Sequence, residues 1–194
     1  MIILGLNAYH GDASAALLVD GELAFAIEEE RLNRKKHCAG FPGLAARACL
    51  DHAGLRPDQI DHVAVSRDPK AHLLQKAMHV AGKVADGGTD GLFSTLKDRL
   101  GNVARLRKSD DALAKALGVP SLRATQHPVE HHRAHLASAF FASPFDEAAV
   151  LSLDGFGDFV STMWGRGRGI DIDVQGEVLY PHSLGILYTA VTQW

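Results

Sequence analysis

An α/β fold is predicted, with elements in the order βββαβα and a helical insertion after the fourth strand. Three observations predict it. The chain opens on three short apolar runs separated by turn chemistry, which read as strands. One amphipathic stretch, residues 43–52, separates the third run from a fourth. From residue 67 to 118 the composition becomes helix-forming, with Leu, Ala and Lys spaced for amphipathic packing. At 194 residues the chain suffices for one good core or two small lobes. Its 46% hydrophobic and 22% charged content are ordinary for a soluble globular protein. A net charge of −3 offers no general attraction to nucleic acid or to anionic membrane, so neither is an expected partner. Two cysteines, Cys38 and Cys49, cannot build a disulfide framework, and a reduced, cytoplasmic setting is expected. No signal peptide is expected from the first residues, and no run approaches the ~20 apolar residues of a membrane span.

Ile2 to Leu6 reads as a central strand, and Asn7 to Asp12 as a polar turn. Ala13 to Val19 is a second strand, Asp20-Gly21 a two-residue hairpin turn, and Glu22 to Glu29 a third strand. Phe41-Pro42 precedes the helix Gly43 to His52, which Gly54 caps. Ile60 to Ser66 is the fourth strand, followed by helices near 69–84, 92–106 and 110–117. Leu122 to Thr125 is a short strand feeding a further helix, with Pro128 as its first-turn residue and Pro144 as its stop. Ala148 to Leu153 is a buried strand, Phe159 to Trp164 another, and Gly165 to Gly169 a flexible turn. Asp171 to Leu179 holds one or two strands. Pro181 to Trp194 begins like a helix without a stop signal, which suggests a truncated product or a fragment.

The mixed charge run from Glu28 to His37 reads either as a solvated loop or as an anion-binding segment. In the second case Arg31, Arg34, Lys35 and Lys36 meet the anion.

The richest chemistry lies between Val129 and Asp158. Four of the 11 histidines, His127, His131, His132 and His135, fall within nine residues at or just before this stretch's opening. His131 and His135 are four positions apart, so on a helix they project about 40° apart on one face, able to share a metal ion. Asp154 ends the apolar run beside Gly155-Phe156-Gly157, where a carboxylate supplies a hard oxygen ligand. His132 lies about 100° round the helix and is expected to pack or to bond a carbonyl. It also stands where a zinc peptidase would carry its glutamate base, which disfavours that chemistry.

The βββαβ order resembles a ribonuclease H-like half-domain, the repeating unit of the actin-like ATPase superfamily, in which the turn between the first two strands approaches a phosphate through backbone amides. More specifically, I-L-G-L-N-A-Y-H-G-D-A-S, E-E-E-R-L-N-R-K-K-H, E-H-H-R-A-H-L-A-S-A-F-F, L-D-G-F-G-D and P-H-S-L-G-I-L-Y-T-A-V-T-Q resemble the O-carbamoyltransferases of nodulation-factor and antibiotic tailoring. The chain is similar, more distantly, to the tRNA threonylcarbamoyladenosine enzymes, which share the fold and the His-x-x-x-His pair. The resemblance covers nearly the whole chain except residues 67–118.

The resemblance implies an enzyme that takes carbamoyl phosphate and ATP with Mg, forms carbamoyladenylate, and transfers the carbamoyl group to a hydroxyl of a small-molecule acceptor. It implies a divalent metal on His131, His135 and Asp154, iron foremost, with zinc, manganese and cobalt compatible. His10 matches the family's catalytic histidine, although Gly11 intervenes before the aspartate that normally follows it. Asp12, Ser14, Gly155, Gly157 and Asp158 are implied near phosphate or nucleotide, and Arg31, Lys35 and Lys36 near substrate. Residues 1–194 would be the N-terminal part of the actin-like domain, with the second half and the C-terminal adenylate-forming domain absent, so the chain is expected to be inactive alone. Two other readings stand beside this one. One is a sugar-kinase-like phosphotransferase on the same fold. The other is a non-catalytic binding or regulatory half that pairs with a separately encoded remainder of the enzyme.

Overall fold

A computed structural model describes residues 1–85 and 109–194. The elements β1 (Ile2–Asn7), β2 (Ser14–Val19), β3 (Glu22–Glu28), α1 (Glu29–Asn33), α2 (Gly43–Ala53) and β4 (His62–Val65) come first. They are followed by α3 (Leu73–Ala85), α4 (Ser109–Leu117), β5 (Thr125–Pro128), α5 (His131–Phe141) and β6 (Glu147–Gly157). β7 (Val160–Arg168), β8 (Asp171–Leu179) and α6 (Leu184–Thr192) complete the series. The described residues form two compact units, 1–69 with 109–128 and 70–85 with 129–194. The helix expected at 92–106 lies outside the described residues.

Unit 1 is built on a five-stranded sheet of order β3-β2-β1-β4-β5. β1, β2 and β3 pair antiparallel, and Asp20-Gly21 turns the second hairpin with the positive φ at both positions that a tight primed turn needs. β4 and β5 add in parallel to β1. Three antiparallel strands extended by two parallel ones in this order are the ribonuclease H-like arrangement that the sequence predicts. Period-2 alternation sends Leu4, Leu6, Leu17, Val63 and Val65 to one face. There they meet Ala45, Cys49 and Leu50 of α2 and Leu113 and Leu117 of α4. Each buried leucine contributes roughly 2 kcal/mol of transfer free energy.

Two expectations are corrected in this unit. The charge run is not a solvated loop at its start. Glu29 opens α1, is 6% exposed, and accepts hydrogen bonds from the Leu44 and Ala45 amides at 3.2 and 2.8 Å. It thereby caps α2, whose own cap position is Pro42 and has no side-chain acceptor. Pro128 does not open the histidine helix. It is the last residue of β5, opposite Val65, on an edge strand where a missing N–H is tolerated.

Unit 2 contains an antiparallel sheet of order β6-β7-β8. Leu136 and Phe140 of α5 pack on Val150, Val160 and Met163 from its buried face. The flexible turn expected over Gly165 to Gly169 is mostly strand, because Gly165 and Gly167 lie inside β7. A Cβ at Gly165 would stand 2.1 Å from the Asp173 carbonyl oxygen, and one at Gly167 would stand 2.6 Å from the Phe140 ring. Close approach, not turning, requires glycine at both. β6 also outlasts its apolar run: pairing becomes irregular after Leu153 and resumes at Gly157, so Asp154 sits in an irregular stretch inside the strand and not beyond its end. No helix among the described residues is long and apolar enough to cross a membrane.

Candidate metal centre

Helix α5 starts on carboxylates. Glu130 is 8% exposed, and its two oxygens accept from the His132 and Arg133 amides at 3.0 and 2.7 Å. Asp158 accepts from the His131 amide at 3.1 Å. Three first-turn donors are thus satisfied by two anions, which also suit the positive end of the helix. His132 is fully buried, as its expected carbonyl bond requires. Its Nε2 donates to the Val160 carbonyl at 2.9 Å, so Nδ1 accepts from the Ser152 hydroxyl at 2.8 Å. Burial lowers its pKa below the ordinary imidazole value, and the ring is a neutral tie from α5 to β6 and β7.

This frame brings together the three residues that sequence spacing selected. His131 Nε2 lies 2.9 Å from Asp154 Oδ2 and 3.0 Å from His135 Nε2, while His135 Nε2 lies 3.9 Å from the same carboxylate oxygen. One donor atom from each falls within 4.8 Å of the others. His131 is buried against Gly157, where a Cβ would stand 1.9 Å from the ring's Cδ2. The Asp154 carboxyl is held below the usual carboxylate range. Burial acts to raise it, but the His131 hydrogen bond, the Gly155 amide and the His131 and His135 rings together outweigh that. Two imidazole nitrogens and an ionised carboxylate oxygen, converging at these distances, fit a divalent transition metal.

Asp154 is also held from behind. The Gly155 amide donates to its Oδ1 at 2.6 Å. The Ser183 hydroxyl faces the Asp154 and Gly155 carbonyls at 3.1 and 2.8 Å and accepts from the Ile186 amide, capping α6. A Cβ at Gly185 would stand 2.4 Å from the Asp154 carbonyl oxygen, so α6 abuts the backbone of Asp154. Glu130, Ser152, Ser183 and Gly185 were not singled out from sequence. For Ser183 the signal was available, since a serine just before an apolar helical run marks an N-cap.

The other predicted site residues divide between the units. Gly155, Gly157 and Asp158 belong to unit 2, where they shape the His131–His135–Asp154 cluster as described. His10, Asp12, Ser14, Arg31, Lys35 and Lys36 belong to unit 1. His10 is half-buried in the turn after β1, and Ser14 opens β2. Asp12 Oδ1 lies 3.0 Å from His37 Nδ1. The Tyr9 and Ala13 amides of that turn donate to the Gly40 and Cys38 carbonyls. Arg31 is exposed and pairs with Glu28 at 3.2 Å and Glu30 at 3.6 Å, whereas Lys35 and Lys36 are exposed.

Comparison with known proteins agrees with the motifs. The chain is 37% identical to the uncharacterized protein sll1178 of Synechocystis sp., covering 99% of this chain and 31% of that protein. It is 30% identical to the nodulation protein NolNO of Sinorhizobium fredii, covering 94% of this chain and 25% of the relative. The chain therefore spans about a third or less of the length of these relatives. Among solved structures, YeaZ from Pseudomonas aeruginosa matches at 19% identity with a TM-score of 0.43, over 93% of this chain and 69% of that one. The family model described as the carbamoyltransferase N-terminus matches residues 2–194, and the chain belongs to the carbamoyltransferase family, whose N-terminal region it spans.

Proposed function

We infer that this chain provides the acceptor-side, metal-binding part of an enzyme that moves a carbamoyl group from carbamoyl phosphate, via carbamoyladenylate, to a hydroxyl of a small molecule. The observation that carries this reading is the convergence of His131, His135 and Asp154 within 4.8 Å in a chain of this family. His131, His135 and Asp154 would hold the ion, and iron is the assignment favoured here, with zinc, manganese and cobalt sharing the same donor chemistry. Such an ion supplies Lewis-acid polarisation of a carbonyl or phosphoryl oxygen. The chain itself contributes an ionised Asp154, a fixed His131 and the neutral His132 tie that keeps both elements in register. ATP with Mg is the co-substrate for adenylation, in a cytoplasmic setting.

A second reading has one observation in its favour. Leu151 and Leu153 of β6 are exposed, as are Leu184, Ile186, Leu187, Tyr188 and Val191 of α6. An apolar surface of this kind suits burial by a further protein segment, so the chain acts as a binding half with the remainder of the enzyme as partner.

Metal content of protein purified without chelator, compared with a His131→Ala, His135→Ala double variant, tests the first reading. One ion per chain in the parent and none in the variant is the expected result. Metal in neither, under conditions where the parent is folded, removes the catalytic-metal role from this chain. Carbamoyl transfer to added acceptors, assayed in the presence and absence of the relatives' downstream segment, separates the two readings.

A further inference from the structure

The histidine of the K-K-H motif has no role so far, and in unit 1 it has a specific partner. His37 Nδ1 lies 3.0 Å from Asp12 Oδ1. A carboxylate can only accept, so Nδ1 carries the proton and Nε2 is left as the basic nitrogen. Among the described residues Nε2 has no hydrogen-bond partner, and the His37 side chain is 84% exposed. This is the aspartate–imidazole relation that orients a general base.

Three features set the pair apart from an ordinary surface ion pair. Asp12 and His37 both hold positive φ, 59° and 52°. Asp and His enter this left-handed region more readily than most non-glycine residues, and here it fixes the course of both loops so that the two side chains face each other. The two loops are zipped by main-chain bonds, Tyr9 N–H to Gly40 C=O at 3.0 Å and Ala13 N–H to Cys38 C=O at 2.8 Å. The His37 amide is further held by Glu30 Oε2 at 3.0 Å. The charge run therefore spends one glutamate on capping α2 and another on fixing this histidine.

We propose that His37, oriented by Asp12, is the general base of unit 1 and takes the proton from the acceptor hydroxyl. The proposal rests on the carbamoyl-transfer reading. In the step, the hydroxyl O–H bond breaks as its proton passes to His37 Nε2, and the oxygen bonds to the carbamoyl carbon. The bond from that carbon to the donor's phosphate oxygen breaks, and the phosphate leaves with the electron pair. The imidazolium then returns its proton to solvent. Asp12 is a positioning residue, holding the Nδ1–H tautomer. The family resemblance gives the base role to His10, two positions from Asp12 in the same turn, but the observed aspartate–imidazole contact is made by His37.

The test uses this chain and needs neither a carbamoyl donor nor a metal, so its failure is distinguishable from failure of the transfer reading. Long-range proton–nitrogen NMR of the histidine rings reports the tautomer of His37. Hydrolysis of 4-nitrophenyl acetate reports the basicity of its free nitrogen. The parent should show His37 as the Nδ1–H tautomer, and Asp12→Asn should lose that preference while keeping the loop geometry. His37→Ala and Asp12→Asn should each lower ester hydrolysis above buffer at least threefold, and His62→Ala, a histidine on β4, should leave it unchanged. An Nε2–H tautomer at His37, or hydrolysis that survives His37→Ala, overturns the proposal. So does a parent rate no higher than that of equimolar free imidazole.

Discussion

The two units differ most in what they bury. Among the described residues of unit 1 the buried polar side chains are Glu29 and Ser109, and the rest of the core is apolar. In unit 2 they are Glu130, His131, His132, Ser152, Ser161 and Thr162, against an apolar cluster of Leu136, Phe140, Val150, Val160 and Met163. An apolar core tolerates imprecise fit better than a polar one, because a misplaced hydroxyl or imidazole forfeits its hydrogen bond inside a medium that offers no replacement. Unit 2 accepts that sensitivity to hold the His131, His135 and Asp154 side chains together. Unit 1 keeps its chemistry on loops outside the core, at Asp12 and His37.

The largest expected contrast is between two glycines. Gly157→Ala drives a methyl into the His131 ring and should destabilise unit 2 by about 3 kcal/mol, while Gly11→Ala in the unit 1 turn should change stability by less than ~0.5 kcal/mol. No atom lies within 4 Å of a Cβ at Gly11, against 1.9 Å at Gly157. Denaturant unfolding of both variants measures this, and equal losses would erase the distinction between the units.

Next come the two buried glutamates, each capping a helix from outside it. Glu29→Ala and Glu130→Ala should each cost about 1–2 kcal/mol. Only the second should also reduce bound metal, because of these two helices it is α5 that carries the candidate ligands His131 and His135. A metal loss in Glu29→Ala would break the comparison. Ser183→Ala should cost about 1 kcal/mol and lower metal occupancy when metal is limiting, measured by titration of the ion.

The smallest expected effect is a pH slope. His132 is held below its ordinary value of 6.5 in the fold, so below that pH the unfolded chain binds a proton that the folded chain refuses. Stability of unit 2 should therefore fall as pH drops through about 6.5 and stop falling below the folded value. His132→Gln should flatten this slope in thermal melts of metal-free protein.

What sequence makes legible follows the same division. Alternation in Leu4, Leu6, Leu17, Val63 and Val65, with the Asp20-Gly21 turn, is local information and specifies the sheet of unit 1. The i,i+4 histidines and the carboxylate at the end of an apolar run are local too, and so the convergence of His131, His135 and Asp154 was visible. Contacts made at a distance were not. Glu29 looks like part of a charge run until α2 is folded beside it. Gly165 and Gly167 look like a turn, because only the positions of Asp173 and Phe140 explain why nothing larger fits. Pro128 has a helix-compatible φ in isolation, and its strand partner Val65 lies far back in the chain.

The ring of His131 against Gly157 has a thermodynamic consequence. The two imidazoles of the cluster are unequal: the His131 side chain is 7% exposed and wedged on backbone, whereas that of His135 is 51% exposed. A side chain that cannot swing has no rotamer freedom left to lose when an ion arrives, whereas an open one must be stilled. For an ion held by this cluster, His131 would be the preorganised donor, and His135 the one whose ordering would report its arrival.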